Sequence, residues 1–329
     1  MEFKEFCEQI QDEILSHLPE EYRDSTVRIQ EVVKSGDQHK TGLLISQENE
    51  VVTPNIYLEG YFEQYQDGMS MNAILNDIAD NRVAAAVRGQ DIFLDDFMGM
   101  VKDYEMAKDH LQVRLCDPER NSERLQSLAY TMEGDFAATY HLVLNEIPSV
   151  GAGSIALTKD MLKNWSVPIL QVKADALRCD LERTPTLMDI NSLVGNLAGF
   201  FAGEPENLFQ KQDAMMDGPM YVLSNAESIN GAALMLQPDL MERIGEMVGG
   251  DYYVLPSSVH EALIVPDRSG VSREELSEMV RNVNETQVTP EEFLSNEVQY
   301  YDTGMHLMMN AEQHEMLQSR SPMSKEMSL

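Results

Sequence analysis

The chain has 329 residues, of which 43% are hydrophobic and 24% are charged, a balance typical of a soluble globular protein. Its 56 acidic residues against 24 basic ones give a net charge of -32, spread over both halves of the chain. Because an acidic surface repels phosphates, direct binding to nucleic acid or to anionic membranes is disfavoured. Solubility is the favoured explanation of this acidic surface, and the alternative explanation is that the protein mimics nucleic acid.

The cysteines and the N-terminus indicate the compartment. Cys7, Cys116 and Cys179 are far apart and odd in number, which predicts buried reduced thiols rather than a disulfide framework or a metal knuckle. The N-terminal segment MEFKEFCEQIQDEIL is acidic where a signal peptide would be basic and then apolar. No run approaches the ~18 apolar residues of a membrane span. We therefore expect a cytoplasmic protein with no membrane contact.

The first half of the chain reads as a mixture of helices and strands without regular alternation. Apolar residues at spacings of three and four predict an opening helix that ends at Pro19. The further elements predicted in chain order are a hairpin over residues 27–33 and 41–45, a third strand at 50–53, helices from Asn55, from a cap at Ser70 and over 91–108, and strands at 111–116, 128–132 and 137–144.

The segment 148–153 is small, flexible and lightly charged, so it is the best candidate for a domain boundary. It divides the chain into an N-terminal α+β lobe over 1–147 and a C-terminal α+β lobe over 148–310. The polar residues 311–329 are expected to form a flexible tail. The predicted fold class is α+β, with mixed or antiparallel sheets and helices packed against them.

The second half opens with helices and then returns to strands. Its predicted helices cover residues 159–165, 168–183, 187–201, 206–215 and 239–248, followed by one with a Ser272–Glu275 capping box and a short one from Thr289. Its predicted strands cover residues 220–224, 232–236, 252–255, 262–265 and 298–301.

The turn between the strands at 252–255 and 262–265 is the first candidate for a site. Pro256 lacks a backbone N–H and should end the first strand, which predicts an accessible elbow. Ser257, Ser258, His260 and Glu261 place four polar groups in this elbow. Serines that bond to the local backbone are one interpretation, and a ligand-binding site is the other.

Three partial motifs lack a residue or an arrangement that their chemistry requires. His260-Glu261 begins the zinc-protease signature HExxH, but Ile264 stands where the second histidine is needed. The glycines of 151–156 fit a dinucleotide fingerprint, yet Thr158 places the helix cap after them, so a linker is favoured. Asp302-Thr303-Gly304 resembles an aspartic-protease motif, but it occurs once and that chemistry needs two carboxylates. We predict no catalytic residues, no metal site and no cofactor.

The 22 methionines are unusually many. Methionine fills irregular cores, so adaptable packing is one interpretation, and an exposed methionine surface for partner docking is the other.

Several segments together resemble an uncharacterised bacterial family of unknown function, found in gut Clostridia and their relatives. The matching segments are TPNIYL at 53–58, YFEQY at 61–65, Ser224-Asn225 with NGA at 230–232, YVLPSSVHE at 253–261, Asn282-Val283-Asn284 and PEEFLS at 290–295. The resemblance covers nearly the full chain and implies a complete, bacterial, intracellular protein. It assigns no activity, so it gives no residue a catalytic role.

Two functional hypotheses follow. The leading one is a non-catalytic protein that binds another protein or a small ligand through the elbow and the surfaces near it. The alternative is a hydrolase that uses a Ser258–His260 pair, with Glu261 or Asp267 in support. Because neighbouring strand residues point to opposite faces, Ser258 and His260 could share a face whereas His260 and Glu261 would not.

Overall fold

The computed structural model describes residues 1–48, 50, 53–89, 94–143, 153–197, 205–211 and 216–320. These residues form two compact units, Met1–Asp103 with Val143–Ser154, and Tyr104–Leu142 with Ile155–Leu329. The predicted linker at 148–153 lies almost entirely outside the described residues. The second unit includes residues 104–142 because their strands pack with the C-terminal half: Asp135 accepts hydrogen bonds from Gln299 Nε2 at 3.1 Å and Asn310 Nδ2 at 3.0 Å. The packing therefore changes at Asp103, and the boundary expected between residues 147 and 148 stays a prediction.

The first unit combines a three-stranded antiparallel sheet with helices. Its elements are α1 (Phe3–Glu13), β1 (Thr26–Lys34), β2 (Gln38–Ser46), β3 (Ile56–Tyr57), α2 (Glu59–Gln66), α3 (Met71–Gly89) and α4 (Leu94–Lys102), with strand order β1-β2-β3. The hairpin and the Ser70 cap are confirmed. The opening helix is also present, but it ends at Glu13 and a 3₁₀ turn, Ile14–His17, follows it before Pro19. The third strand lies at Ile56–Tyr57, after the predicted segment 50–53, part of which is outside the described residues.

The second unit contains two sheets. Its N-terminal part comprises α5 (Tyr104–Ala107), β4 (Leu111–Cys116), β5 (Tyr130–Glu133), β6 (Phe136–Val143), β7 (Ser154–Ala156), α6 (Lys159–Trp165), α7 (Ile169–Glu182), β8 (Pro185–Asp189) and α8 (Ile190–Leu197). Its C-terminal part comprises β9 (Tyr221–Asn225), a 3₁₀ segment (Gly231–Leu236), α9 (Pro238–Val248), β10 (Tyr252–Leu255), β11 (Ala262–Pro266), α10 (Arg273–Thr286), β12 (Gln299–Asp302), β13 (Leu307–Asn310) and α11 (Ala311–Arg320).

The β10–β11 pair lies at the centre of a six-stranded antiparallel sheet with the order β13-β12-β10-β11-β9-β8. One face packs against α10 and α11 through a cluster that includes Leu255, Leu276 and Tyr300. From the other face, Tyr252 OH donates to the carbonyl oxygen of Met241 on α9 at 2.7 Å. The elbow therefore joins two central strands that are covered on both faces.

The antiparallel sheets with helices packed on them confirm the predicted α+β class. Four element predictions are corrected. Residues 232–236 form a buried 3₁₀ segment instead of a strand, because a short apolar run does not distinguish the two. Residues 187–189 belong to β8, so the helix starts at Ile190. The residues after Thr289 form a single turn. Residues 311–320, predicted to fray, form α11, on which His314 stacks against Tyr300 at 4.0 Å between ring centroids.

Among the described residues, β4 is the outer strand of the antiparallel sheet β4-β6-β5, and a buried carboxylate covers its outer edge. Asp180 on α7 accepts from the backbone N–H of Val113 at 3.0 Å, and its side chain is only 7% exposed. Burial raises the pKa of Asp180 to about 7, although the Val113 hydrogen bond and the charges of Arg183 and Arg114 act in the opposite direction. The carboxyl therefore holds a proton more tightly in the folded chain than in the unfolded one.

We therefore expect the contribution of Asp180 to the stability of the second unit to fall as pH rises. The raised folded-state pKa stabilises the fold below the unfolded value near 4, and this contribution is lost as pH climbs to about 7. Asp180→Asn keeps an oxygen acceptor for Val113 but does not titrate, so we expect a flatter dependence of unfolding free energy between pH 4.5 and 8. Urea unfolding followed by Trp165 fluorescence measures it, with the exposed Glu278→Gln as control. Parallel pH profiles for wild type and Asp180→Asn would contradict the assignment.

Candidate functional site

The elbow at residues 256–261 is only partly accessible. Pro256 follows directly on the last residue of β10, as predicted, but Pro256 and Ser257 are buried. Ser258 and His260 are half-buried, and Glu261 is exposed. The predicted accessibility therefore applies to the second half of the elbow.

Two neighbouring segments hold the backbone of the elbow. In the turn that follows α10, Leu294 N–H donates to Ser257 O at 3.1 Å, and Glu292 O accepts from Val259 N–H at 2.9 Å. From the start of the 3₁₀ segment, Ala232 N–H donates to Val259 O at 3.3 Å. We call residues 225–231, 256–261 and 289–294 together the elbow site.

The imidazole of His260 joins the three segments. Its Nδ1 accepts from the backbone N–H of Asn230 at 3.2 Å, so in the neutral ring the proton is on Nε2. Nε2 lies 3.3 Å from Glu292 Oε1. Thr289 Oγ1 donates to the other carboxylate oxygen of Glu292 at 3.0 Å, and this bond, ahead of the charge of His260, lowers the pKa of Glu292. Both ring nitrogens thus have partners.

These contacts do not assemble the predicted Ser258–His260 pair. Ser258 Oγ accepts from the backbone N–H of His260 at 3.0 Å, which is serine turn chemistry. Asp267, a proposed supporting carboxylate, instead accepts from Tyr300 OH at 3.2 Å. Geometry therefore gives no support to a nucleophile activated by His260.

The third segment, residues 225–231, was not predicted to be part of a site, although Asn225 and Asn230-Gly231 belong to the segments of the sequence resemblance. Asn225 Oδ1 accepts from the backbone N–H groups of Glu227 at 3.1 Å and Ile229 at 3.2 Å, and Asn225 Nδ2 donates to Ile229 O at 2.8 Å. Ser228 and Asn230 both have a φ of 55°, which non-glycine residues seldom adopt. This network leaves the side chain of Ile229 50% exposed. The Asn, Ser and Asn-Gly of this stretch are turn residues that could have identified it.

We expect His260→Ala to loosen this loop without unfolding the unit. The change leaves Asn230 N–H without its acceptor, which should cost about 1–2 kcal/mol because the side chain is 31% exposed and water replaces part of the interaction. Hydrogen exchange of the Asn230 amide should accelerate roughly tenfold. Glu278→Gln, an exposed residue of α10 outside the elbow site, is the control, and equal exchange in the two variants would show that the imidazole does not hold the loop.

Other candidate groups have structural partners. Asp302 Oδ1 accepts from Met305 N–H at 2.8 Å, and Thr303 Oγ1 donates to Asp251 Oδ1 at 2.5 Å, so the Asp302-Thr303-Gly304 motif shapes the β12–β13 turn. Cys7, Cys116 and Cys179 are buried and are not joined in disulfides. Within the described residues, no group of three His, Cys, Asp or Glu side chains is arranged to hold a metal ion. No described helix is long and apolar enough to cross a membrane.

Comparison with known proteins identifies the family. Residues 3–303 match the model of a family described as a family of unknown function, DUF5688. The chain belongs to the DUF5688 family. No curated protein and no solved structure matches this DUF5688 protein. The match includes all three segments of the elbow site, and the segments of the sequence resemblance at 224–225 with 230–232, at 253–261 and at 290–295 meet there.

Proposed function

We propose that this DUF5688 protein is a non-catalytic binding protein whose elbow site docks a partner protein. The observation that carries the proposal is the exposure of Ile229 at the tip of a loop that Asn225 and His260 hold in place. A loop that is already ordered loses little conformational entropy on binding, which favours affinity. An exposed apolar side chain on a rigid support is the usual form of an interface anchor.

The exposed acidic residues of the elbow site indicate the chemistry of the partner. Glu227 and Glu261 are exposed, and the side chain of Glu292 is 42% exposed. An apolar anchor with an acidic rim fits an apolar pocket bordered by lysine or arginine, since complementary rim charges speed association. The three buried cysteines are not joined in disulfides, as expected in a reducing compartment, and we propose that this interaction takes place in the cytoplasm.

A pull-down with matched variants tests the proposal. Tagged wild type, Ile229→Ser and the Ser257→Ala/His260→Ala double variant are incubated with native bacterial lysate, and recovered proteins are quantified by mass spectrometry. Leu170→Ser is the control, because Leu170 is 70% exposed on α7 and outside the elbow site. We expect a partner that wild type and Leu170→Ser recover and that both elbow variants lose.

The partner should then bind purified wild type directly, with affinity that falls as salt rises. Recovery of the same proteins by all four forms would contradict docking through Ile229. The competing hydrolase is tested in the same samples, where labelling of folded wild type at Ser258 by a serine-reactive fluorophosphonate would overturn the non-catalytic proposal.

A further inference from the structure

The three-stranded sheet of the first unit turns one face toward the apolar core of that unit. Val27, Ile29, Leu43 and Ile45 contact this core, and successive residues of a strand point to opposite faces. The residues between them form the opposite face, which we call the basic face: Thr26, Arg28, Gln30, Val32 and Lys34 of β1, Gln38, Lys40, Gly42, Leu44 and Ser46 of β2, and Tyr57 of β3. Lys34 Nζ lies 4.6 Å from the ring centroid of Tyr57, in keeping with their place on the same face.

The basic face has the opposite charge to the chain as a whole. None of its residues is acidic, although the chain contains 56 acidic residues and 24 basic ones. Arg28 is exposed, and Lys34 and Lys40 are half-buried. Within the described part of the chain, these three side chains form no salt bridge, whereas Lys4 and Arg23 of the same unit each pair with a glutamate. The three cations are therefore available to carboxylates from outside the chain.

Apolar side chains lie between these cations. In the β1–β2 register, Val32 is directly opposite Lys40, and Leu44 is directly opposite Arg28. A lysine stem packs along apolar neighbours while its ammonium group stays in solvent, so the basic face combines apolar contact area with positive charge. Acidic residues flank the face at its two ends, and they are Asp24 and Glu48, which line a cavity with Arg28, and Asp37 in the β1–β2 turn.

This combination is the chemistry that the elbow site requires of a partner. The exposed Ile229 is an apolar anchor, and Glu227, Glu261 and Glu292 supply negative charge. Glu261 forms no salt bridge with any described residue. Opposite charges that meet across an interface fix its register and speed association. The elbow site and the basic face are therefore complementary in charge, and both belong to this chain.

We propose that the elbow site docks on the basic face of a second copy of the chain, with Ile229 against its apolar residues and the glutamates near Lys34 and Lys40. This inference rests on the proposed function, since it names the partner of the elbow site. The net charge of -32 repels the two copies, but at an ionic strength of about 0.15 M the Debye length is only about 8 Å, so the charges within the contact decide its stability. Each copy carries both surfaces, so reciprocal contacts close a dimer or successive contacts build a longer assembly.

Sedimentation velocity of the purified full chain in about 0.15 M NaCl tests this inference. We expect wild type to associate with a dissociation constant on the order of 10 µM, and Lys34→Glu/Lys40→Glu to weaken association at least about tenfold. Lys4→Glu/Arg23→Glu is the control, because it makes the same change in net charge at side chains of the first unit that are 87% and 74% exposed and lie outside the basic face. Hydrogen-exchange protection of Gln38–Ser46 checks that the β1–β2 hairpin remains folded in each variant.

Charge reversal on the elbow site separates specific docking from general repulsion. Glu227→Lys/Glu261→Lys lowers the net negative charge, so general repulsion predicts stronger association, whereas docking on the basic face predicts association weakened about tenfold. Combining Glu227→Lys/Glu261→Lys with Lys34→Glu/Lys40→Glu brings opposite charges together again, so the combined variant should regain association. Such a rescue also shows that both surfaces remain folded.

Self-docking is overturned by a wild type that stays monomeric up to about 200 µM, by equal weakening in Lys4→Glu/Arg23→Glu, by stronger association of Glu227→Lys/Glu261→Lys, or by a combined variant that is folded but monomeric. A monomeric wild type that still recovers an Ile229-dependent partner from lysate overturns self-docking and leaves the proposed function standing. A monomeric wild type that binds a fluorescent single-stranded oligonucleotide, with binding lost in Lys34→Glu/Lys40→Glu, would assign the basic face to nucleic acid instead.

Discussion

Arg82→Met should destabilise the first unit by about 3–5 kcal/mol, because it leaves the Glu50 carboxylate without its buried counter-ion. The Arg82 side chain is fully buried, and its Nη2 donates to both carboxylate oxygens of Glu50 at 2.6 Å. Its Nε donates to Ile45 O at 2.9 Å, and its guanidinium lies 4.9 Å from the ring centroid of Tyr22. One side chain thus joins α3, β2 and the segment after α1.

Hydrogen exchange of the β2 segment measures this effect, since the only tryptophan lies in the other unit. Protection of Gln38–Ser46 should fall in Arg82→Met, whereas Tyr252–Leu255 in the second unit is an internal reference. Arg23→Met is the control, because the Arg23–Glu20 pair is 74% and 83% exposed and should contribute less than about 1 kcal/mol.

The double variant Arg82→Met/Glu50→Met separates pairing from packing. Replacing both members of a buried ion pair with apolar residues of similar size is often neutral, so the double variant should recover much of the lost protection. If Arg82→Met alone is as stable as Arg23→Met, the ion pair does not support the first unit.

The sequence predicted regular elements well and long-range polar contacts poorly. The β1–β2 hairpin, α6, β4 and the β10–β11 pair follow from apolar spacing and turn residues, which are local signals. Arg82 lies in a correctly predicted helix, but arginine in a helix indicates a solvated face by default. Its burial depends on Glu50, which is distant in sequence and supplies no local pattern.

The elbow site also depends on contacts between residues that are distant in sequence. Periodicity located the elbow and its four polar residues, but the partners of His260 come from Asn230 and Glu292, about thirty residues away on either side. The run 232–236 was assigned to a strand, and this hid the 225–231 loop before it. Sequence therefore predicted one of the three segments of the site, and the fold supplied the other two.

Gly231→Ala should destabilise the second unit by about 1–3 kcal/mol and displace the elbow. A Cβ at this position would lie 2.7 Å from the carbonyl oxygen of His260 and 2.8 Å from Ser224 Cα, and it would also overlap Ser224 Oγ. Two of these three atoms belong to the backbone, which cannot move aside as a side chain does. The new methyl group must therefore separate the 225–231 loop from the elbow.

This separation should break the contacts that define the site. Ser224 Oγ donates to His260 O at 2.8 Å, and Asn230 N–H reaches His260 Nδ1 from the residue before the glycine. We expect lower stability in urea unfolding followed by Trp165 fluorescence, and faster exchange of the Asn230 amide. In the pull-down, Gly231→Ala should also fail to recover the partner protein that wild type recovers.

Gly60→Ala is the matched control. It makes the same substitution in α2, where no atom lies within 4 Å of the new Cβ, so it should be neutral or stabilise by up to about 1 kcal/mol. Adding Ser224→Ala to Gly231→Ala removes only the hydroxyl contact, so it should not restore stability, because the His260 carbonyl and Ser224 Cα remain in place. Full rescue by Ser224→Ala would instead show that the hydroxyl alone sets the close approach, and that the backbone of the elbow can accommodate a methyl group.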